Sequence, residues 1–320
     1  MHPSYLTLYH SGELARRAEQ AVARLAACDL CPRQCGVDRL AEEVGYCGTG
    51  RLARVASFDL HWGEEEPLVG QHGSGTIFFS RCNLACVFCQ NWEISRGPEH
   101  GGEQGTEVAP NQLAWMMLEL QRRGALNINL VSPSHVAAQI LEALVLAVTD
   151  GLTLPLVWNT GGYEALRTLA LLDGLVDIYM PDTKFWDPTI AARLCHATDY
   201  PDRAREAITA MYAQVGDLAL DDNGVALRGL LVRHLVLPHG LAGTKGWMGF
   251  LAGLSRQTYV NIMGQYRPCG RAHEFPQLAR AVSPTEIAQA HEAARREGIT
   301  RLDKYSNGLV RFLADRLDPQ

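Results

Sequence analysis

The chain has 320 residues, 47% of them hydrophobic, which is enough to bury the core of one large domain with or without a small appendage. Its formal net charge of -6 at pH 7 disfavours nucleic acid and anionic membrane surfaces as partners. No apolar run in the sequence approaches the roughly 20 residues that span a bilayer, and the first residues lack the charged and apolar regions of a signal peptide. We therefore expect a globular, cytoplasmic protein that binds neither membrane nor nucleic acid.

The first region in chain order joins an amphipathic helix to a group of cysteines. The stretch GELARRAEQAVARL is expected to form a helix with one apolar face, which consists of Leu14, Ala18, Val22 and Leu25. The cysteines that follow are spaced CxxCxxxC, with eleven further residues before the last one: Cys28, Cys31, Cys35 and Cys47. Because the cytosol keeps thiols reduced, this pattern indicates metal ligation rather than disulfides.

The identity of the metal stays open at this point. Four thiolates suit a tetrahedral zinc site or an iron–sulfur cluster, and ligation by thiolate alone does not discriminate between them. Unligated cysteines are the third alternative. We predict that residues 1–72 form a small cysteine-rich, metal-binding module, whose helix docks on a larger domain at residues 73–320.

A run of three glutamates, in the stretch HWGEEEPLVG, precedes the larger domain. Such a run is usually a solvated loop, and we favour this interpretation for Glu64, Glu65 and Glu66. The alternative is that Glu64 or Glu65 reaches the open end of the larger domain and contacts a substrate. The two interpretations differ in the burial of the carboxylates.

From Gly75 onward, strand-like apolar runs alternate with helix-like ones. The strand candidates are short and nearly continuous in apolar character, which is typical of strands covered on both faces: residues 76–80, 127–132, 154–159, 176–181, 228–238 and 258–264. Amphipathic helices are expected between them at residues 110–124, 135–148, 164–172, 201–215 and 244–254, and a last helix is expected from the capping box at 283–286. This alternation predicts an α/β fold with a parallel sheet, most economically a partial (βα)6 barrel, with a flat doubly wound sheet as the alternative.

The densest chemical signal follows the first of these strands. The stretch SRCNLACVFCQN contains Cys82, Cys86 and Cys89, at the carboxyl end of a parallel strand, where ligands usually bind. Structural zinc sites usually close with four protein ligands, whereas a four-iron cluster held by three thiolates keeps one iron free for another molecule. The spacing therefore favours a [4Fe-4S] cluster over a zinc site completed by a distant His or Asp.

The CxxxCxxC motif, with Phe88 before its last cysteine, resembles the cluster loop of the radical S-adenosylmethionine (SAM) superfamily. This resemblance implies that Cys82, Cys86 and Cys89 hold a [4Fe-4S] cluster whose free iron binds the amino and carboxylate groups of SAM. It also implies reductive cleavage of SAM to methionine and a 5'-deoxyadenosyl radical, which abstracts hydrogen from a substrate. The electrons would come from a donor such as flavodoxin or ferredoxin.

Further stretches resemble the pyruvate formate-lyase activating enzymes, and in particular relatives with an extra N-terminal cysteine region: WNTGGYE, YMPDTKFW and VNIMGQYRP. The resemblance places these residues around SAM and a nearby cation: Phe88, Asn159, Thr160, Met180, Asp182, Lys184 and Arg233. Asn159 departs from the Asp of the activating enzymes, and LVSPSHV stands where many superfamily members carry a Gly-Gly-Glu type segment for the SAM amino group. The alternative roles are a strand-end ion pair for Asp182 and Lys184 and a structural role for Arg233.

Several other residues receive predictions of their own. His135 either bonds the SAM amino group or caps the following helix. Gln265, Tyr266 and Arg267 follow the last strand, where they would contact substrate or close the end of the domain. The glycine-rich segment 96–107 is expected to be a surface loop and a possible lid. Cys195 is read as a small buried hydrophobic residue, and Cys269 as an incidental thiol.

Two functions of different classes remain open on the sequence. The first is a radical SAM enzyme, an oxidoreductase that generates a glycyl radical on a partner protein or modifies a peptide or small molecule. The second is an iron–sulfur redox-sensing or metal-binding protein that does not cleave SAM. The intact cysteine motif favours the first, and the missing Gly-Gly-Glu carboxylate keeps the second open.

Overall fold

The computed structural model of the chain describes residues 3–96 and 105–303, with a mixed β-sheet at its centre and helices packed around it. The strands are β1 (Ala53–His61), β2 (Ser74–Phe79), β3 (Thr106–Val108), β4 (Ile128–Val131), β5 (Leu156–Thr160), β6 (Ile178–Thr183), β7 (Ala219–Leu220), β8 (Ala226–Leu235) and β9 (Tyr259–Met263). Their order across the sheet is β3-β1-β2-β4-β5-β6-β8, and both β7 and β9 pair with β8.

The α-helices lie in the N-terminal region, between strands and after the last strand. Their bounds are α1 (Tyr5–His10), α2 (Glu13–Ala23), α3 (Glu66–Val69), α4 (Trp92–Ser95), α5 (Pro110–Arg122), α6 (Ala137–Thr149), α7 (Leu166–Leu172), α8 (Pro188–Cys195), α9 (Tyr200–Val215), α10 (Thr244–Leu254) and α11 (Pro284–Arg296). Among the described residues, no helix combines the length and the apolar character needed to cross a membrane.

Six parallel strands carry the sheet, and they follow one another in chain order: β2, β4, β5, β6, β8 and β9. Each corresponds to one of the strands predicted from the sequence, because buried parallel strands stand out as short apolar runs. The mixed α/β class and the alternation of strand and helix are therefore confirmed. The closure of the sheet into a partial barrel stays a prediction.

The remaining strands were not predicted. β1 pairs antiparallel with β2, and β3 pairs antiparallel with β1 at the sheet edge. Much of β1 is only half-buried or exposed, so its sequence mixes polar and apolar residues and gives a weak strand signal. The structure also adds α8, which begins after Asp187; the side chain of this residue caps the helix by accepting hydrogen bonds from Thr189 and Ile190.

The N-terminal helices are attached to the larger domain. Leu14 and Ala18 of α2 are buried, as predicted, and α2 packs against α6. The hydroxyl of Tyr5 donates a hydrogen bond to the carbonyl of Leu154, at 2.8 Å. The predicted boundary at residue 72 falls between two strands of one sheet, because β1 hydrogen-bonds to β2.

The short helix α3 fixes the segment between β1 and β2 against the sheet. Leu68 of α3 is fully buried in a small apolar cluster with side chains from four strands: Val157, Ile178, Met180, Leu231 and Tyr259. Burial of a leucine side chain of this kind contributes about 1.5–3 kcal/mol. The segment just before α3 is therefore held against the face of the sheet.

Candidate functional site

A cavity of about 520 Å³ lies at the carboxyl ends of the parallel strands. Its walls come from the loop after β2, from the ends of β4, β5, β6, β8 and β9, and from the segment after β1. Cavities of this size hold small-molecule ligands. It is therefore the candidate site of the chain.

Most of the residues that the resemblance assigns to cofactor binding line this one cavity: Cys82, Cys86, Phe88, Cys89, Asn159, Thr160, Asp182, Lys184 and Arg233. Met180 is different, since it packs in the apolar cluster with Val157 and Ile178 and does not line the cavity. The roles of all of these residues stay predictions.

The cysteine loop is held from several sides. The backbone N–H groups of Ala85 and Val87 donate to carbonyls of α8, and Arg271 N–H donates to the carbonyl of Val87 at 2.7 Å. The Asn83 side chain donates to the carbonyl of Tyr163 at 2.7 Å. The apolar side chains of the loop, Phe88 among them, are buried beneath it. The loop is therefore braced before any ligand binds.

The thiols of the loop lie in a poorly solvated environment. Burial raises the pKa of Cys82 to about 12 and also raises the pKa of Cys89. The pKa of Cys86 is raised well above its usual value, first by a hydrogen bond with Cys195 and second by burial. Three thiolates here need a compensating positive charge, which metal ligation supplies.

The residue types fit a cluster. Three thiols that share one cavity wall match the three-thiolate ligation that leaves one iron open. Within residues 3–96 and 105–303, no group of three or more His, Cys, Asp or Glu side chains is arranged to hold a metal ion. The fit of the loop to a cluster thus depends on its thiols and on their common exposure to the cavity.

A charged network lies on the strands next to this loop. Asp182 accepts hydrogen bonds from Lys184 Nζ at 2.7 Å and from Arg233 Nε at 2.8 Å. Burial would raise the pKa of Asp182, but the charges of Arg233 and Lys184 outweigh burial and lower this pKa. Burial would likewise lower the pKa of Lys184, but the Asp182 carboxylate outweighs it and raises this pKa. All three side chains are therefore held in their charged forms.

The Asn159 side chain is hydrogen-bonded to Arg233, which gives its amide group a structural role. Its carbonyl oxygen accepts a hydrogen bond of 2.6 Å from a terminal nitrogen of Arg233. The guanidinium thus bridges Asn159 and Asp182 and places a positive charge between them. A carboxylate at position 159 is not needed to hold Arg233.

The glutamate segment lies in the cavity wall. The side chain of Glu64 is 8% exposed and Glu65 is 4% exposed, and both residues line the cavity. The solvated-loop interpretation is wrong for these two residues, because α3 pins the segment against the sheet. Trp62, which also lines the cavity, is 57% exposed at its edge.

A curated relative decides the family. The uncharacterized protein MJ0674 of Methanocaldococcus jannaschii is 32% identical over 278 residues, which cover 84% of this chain and 74% of that protein. The chain belongs to the family of this protein. No protein-family model matches the chain. Family membership gives no reaction, because the name of the relative states none.

Solved structures resemble the fold of this family member more distantly. Streptococcus suis SuiB bound to precursor peptide SuiA matches with a TM-score of 0.45 and 11% identity, over 69% of this chain and 46% of SuiB. TYW1 with a lysine-pyruvate adduct bound matches with a TM-score of 0.41 and 10% identity, over 69% of this chain and 73% of TYW1. A radical SAM methyltransferase from Sphaerobacter thermophilus matches with a TM-score of 0.47 and 16% identity, over 89% of this chain and 91% of that protein. The chain therefore spans less than half the length of SuiB. With TM-scores below 0.5, these likenesses carry no functional argument.

The segment after β4 contributes one polar residue to the cavity of this family member. Ser132 lines the cavity, with a positive φ of 59°, an unusual conformation for a residue other than glycine. Ser134 is buried and bonds to Glu164, and the His135 ring bonds to the carbonyl of Ser80 at 3.0 Å. His135 therefore neither lines this cavity nor caps the helix through its side chain. Sequence reasoning did not single out Glu164, a buried carboxyl group.

The three residues predicted to contact substrate or close the end of the domain lie in different environments. Gln265 lines the cavity, whereas Tyr266 is buried and its hydroxyl donates to the carbonyl of Leu278 at 2.8 Å. Tyr266 also contacts the Phe88 ring edge-on, with centroids 6.0 Å apart. Arg267 is exposed. The predicted lid at 96–107 lies mostly outside the described residues, which omit 97–104.

The N-terminal cysteines surround a separate, much smaller cavity in this family member. Cys28, Cys31, Cys35 and Cys47 line it, together with Arg39 and His135. The fully buried Arg39 guanidinium donates to the carbonyl of His135 at 2.8 Å and to Cys28 Sγ at 3.7 Å. Burial raises the pKa of Cys31 to about 12, and burial also raises the pKa of Cys47. The four thiols and the buried Arg39 therefore line one small cavity, and Arg39 contacts Cys28.

Arg33 connects the two cysteine regions. It lies between Cys31 and Cys35, and its guanidinium donates to the carbonyls of Asn83, at 3.0 Å, and His196, at 2.6 Å. The same guanidinium lies 3.8 Å above the centre of the Tyr46 ring. Since Asn83 belongs to the cysteine loop, the Arg33 side chain links the two cysteine groups directly.

Proposed function

We propose that the chain is a radical SAM enzyme. The observation that carries this proposal is the common cavity: the three cysteines of the CxxxCxxC motif and the Asp182–Lys184–Arg233 network line the same space at the carboxyl ends of the parallel strands. A [4Fe-4S] cluster held by these cysteines would supply the electron for cleavage of SAM and thereby a radical that abstracts hydrogen from substrate.

The residues of the chain have distinct roles in this proposal. Cys82, Cys86 and Cys89 hold the cluster, and the buried Phe88 keeps water from its protein side. Lys184 and Arg233 attract the carboxylate of SAM, while Asp182 holds both cations in place. Asn159 and Thr160 line the SAM site at the end of β5, where the Asn159 carbonyl oxygen holds Arg233 in place.

The finer features of the proposal extend beyond the cavity. We propose a partial (βα)6 barrel at residues 73–320 and a metal-binding module at 1–72, in which Cys28, Cys31, Cys35 and Cys47 hold zinc or a second iron–sulfur cluster. The shared small cavity of these thiols supports that module. A flavodoxin or ferredoxin would supply the electrons in the cytoplasm. Generation of a glycyl radical, as in the pyruvate formate-lyase activating enzymes, is one candidate reaction on a protein, peptide or small-molecule substrate.

The test measures metals and SAM cleavage on anaerobically purified, reconstituted protein. We expect about four irons at the three-cysteine site and formation of 5'-deoxyadenosine from SAM after reduction with dithionite. Cys86→Ala should lose this iron and the cleavage while keeping the metal of the N-terminal module. Cys269→Ala is the matched control, because Cys269 belongs to neither group and should change neither quantity.

Two results would count against the proposal. Cleavage that survives in Cys86→Ala would show that these thiols are not the cluster ligands. A full complement of iron with no 5'-deoxyadenosine would favour the redox-sensing alternative.

A further inference from the structure

The segment that carries Trp62, Glu64 and Glu65 is rigidly held, although it lies outside regular strands. Leu68 N–H donates to the carbonyl of Glu65 at 2.8 Å, and the Asn127 side chain donates to the carbonyl of Leu68 at 2.8 Å. Ser74 in turn donates to Asn127 at 2.6 Å. The two carboxylates therefore have fixed positions in the cavity wall, before any ligand binds.

Glu64 is a buried carboxylate with incomplete partners. Its side chain is 8% exposed, and the nearest basic side chains are Arg233 and His61, each at 3.7 Å. Neither distance is that of a hydrogen bond. The Arg233 guanidinium is already engaged at 2.8 Å by Asp182 and at 2.6 Å by Asn159. Glu64 thus remains without a hydrogen-bond donor among the described residues.

Glu65 shows a similar deficit. One of its oxygens accepts a hydrogen bond from the Asn261 side chain at 2.8 Å. The other oxygen is buried and has no hydrogen-bond partner within the described part of the chain. A buried carboxylate oxygen without a donor costs free energy. Among the described residues, Glu64 therefore has no hydrogen-bond donor, and Glu65 has a donor for only one of its two oxygens.

The chemistry of the missing donor follows from charge and shape. Both side chains with a missing donor are acidic, and the nearby Arg233 is already hydrogen-bonded to Asp182 and lies 3.7 Å from Glu64. The Trp62 ring lies against Gly73, where an added Cβ would come within 3.0 Å of it, and Trp62 lines the edge of the cavity. Aromatic faces attract cations, and an ammonium group offers three donors.

We propose that Glu64 and Glu65, with Trp62 at the edge, form a subsite for the primary ammonium group of the substrate. The substrate class is thus an amine, such as a lysine side chain in a peptide or a small alkylamine. This inference rests on the proposed function in taking the cavity as a substrate site. Amine binding can, however, be measured without SAM cleavage.

SAM also carries an ammonium group, and the position of the glutamates argues against that occupant. Glu64 and Glu65 contact β8 and β9 through Arg233 and Asn261. The segment expected to meet the SAM amino group follows β4, and β5 and β6 separate it from β8 in the sheet. The subsite is therefore assigned to the substrate.

The experiment measures binding of n-pentylamine and of its uncharged counterpart n-pentanol to the reconstituted holoprotein by ligand-observed NMR. We expect the amine to bind about tenfold more tightly than the alcohol, as one charged hydrogen bond implies. Glu64→Gln and Glu65→Gln should each remove most of this preference. Glu66→Gln is the matched control, because this half-buried neighbour in α3 does not line the cavity.

Two outcomes would overturn the inference. Equal binding of amine and alcohol to the wild-type protein would remove the ammonium subsite, and it would leave SAM cleavage untouched as evidence for the proposed function. Direct titration with SAM tests whether the SAM ammonium group occupies the subsite instead. The subsite belongs to SAM if Glu64→Gln lowers the affinity for SAM as strongly as the affinity for the amine, and if the amine competes with SAM. Absence of 5'-deoxyadenosine with intact amine preference would instead count against the proposed chemistry alone.

Discussion

The two cysteine groups of this chain differ in how far the protein encloses them. The four N-terminal thiols line a cavity of about 10 Å³ around the buried Arg39, whereas the three thiols of the loop after β2 line one of about 520 Å³. Closed sites with four protein ligands are typical of structural metals, and an open position is typical of reactive ones. The difference in enclosure supports the proposal that the first group serves stability and the second serves chemistry.

Exposure to air should produce the largest difference between the two groups. Oxygen and solvent reach the cavity of the three-cysteine loop, so its iron should be lost completely, while the metal of the enclosed N-terminal group is retained. Metal analysis after gel filtration, together with the visible absorbance of the cluster, measures this. Loss of both metals at the same rate would remove the distinction between open and enclosed sites.

Substitution of one thiol in each group should separate stability from activity. Cys31→Ser is expected to lower the free energy of unfolding by at least about 3 kcal/mol, because it removes a structural metal. Cys86→Ala should cost less stability and abolish SAM cleavage. Urea unfolding of both variants under anaerobic conditions measures the difference. Equal destabilisation would mean that both groups are structural.

His234 is a buried histidine next to the charged network, and its burial predicts an effect of pH on stability. His234 bonds to Thr183 and Thr244, and burial lowers its pKa to about 4. Below a pH of about 6.5 the unfolded chain binds a proton that the folded chain does not, so this residue lowers stability by up to about 1.4 kcal/mol per pH unit as pH falls toward 4. Above that pH the effect vanishes.

The check is urea unfolding of His234→Asn at several pH values between 7.5 and 5. The variant should show a shallower loss of stability with falling pH than the wild-type protein does. Substitution of the exposed His273 by Asn is the control and should leave the slope unchanged. An identical slope in His234→Asn would show that other groups govern the acid response.

The smallest effect is expected where the two groups touch. Arg33→Ala removes the hydrogen bonds to the carbonyls of Asn83 and His196. Two such bonds contribute roughly 1–3 kcal/mol together, so SAM affinity should fall several-fold while both metals stay bound. Arg33→Lys keeps the charge but not the fork of donors, and it should show an intermediate affinity. Unchanged SAM affinity in Arg33→Ala would mean that the groups act independently.

The sequence predicted the parallel strands and the cysteine motif because both are local signals. The spacing of Cys82, Cys86 and Cys89 can be read within a few residues, and so can the apolar runs of the six parallel strands β2, β4, β5, β6, β8 and β9. The antiparallel strand β1 could not be read in this way, since its place depends on pairing with β2 and β3. Helix α8 had a usable signal, because Asp187 followed by Pro188 is typical of a helix start.

The burial of the glutamates was beyond local reasoning. Three consecutive carboxylates predict a solvated loop, and only contacts with distant strands reverse this for Glu64 and Glu65. The one nearby hint was the apolar sequence after them, which forms α3 and buries Leu68. The contact between Arg33 and Asn83 is similar, because nothing near either residue indicates its partner.

The bracing of the cysteine loop has a consequence for the order of events during synthesis on the ribosome. Its backbone bonds reach the end of α8 and the N–H of Arg271. The three thiols therefore leave the ribosome long before the segments that hold their loop in shape. Until residue 271 has emerged, the nascent chain presents these thiols on an unsupported loop, so assembly of the site belongs to a late stage of translation or follows it.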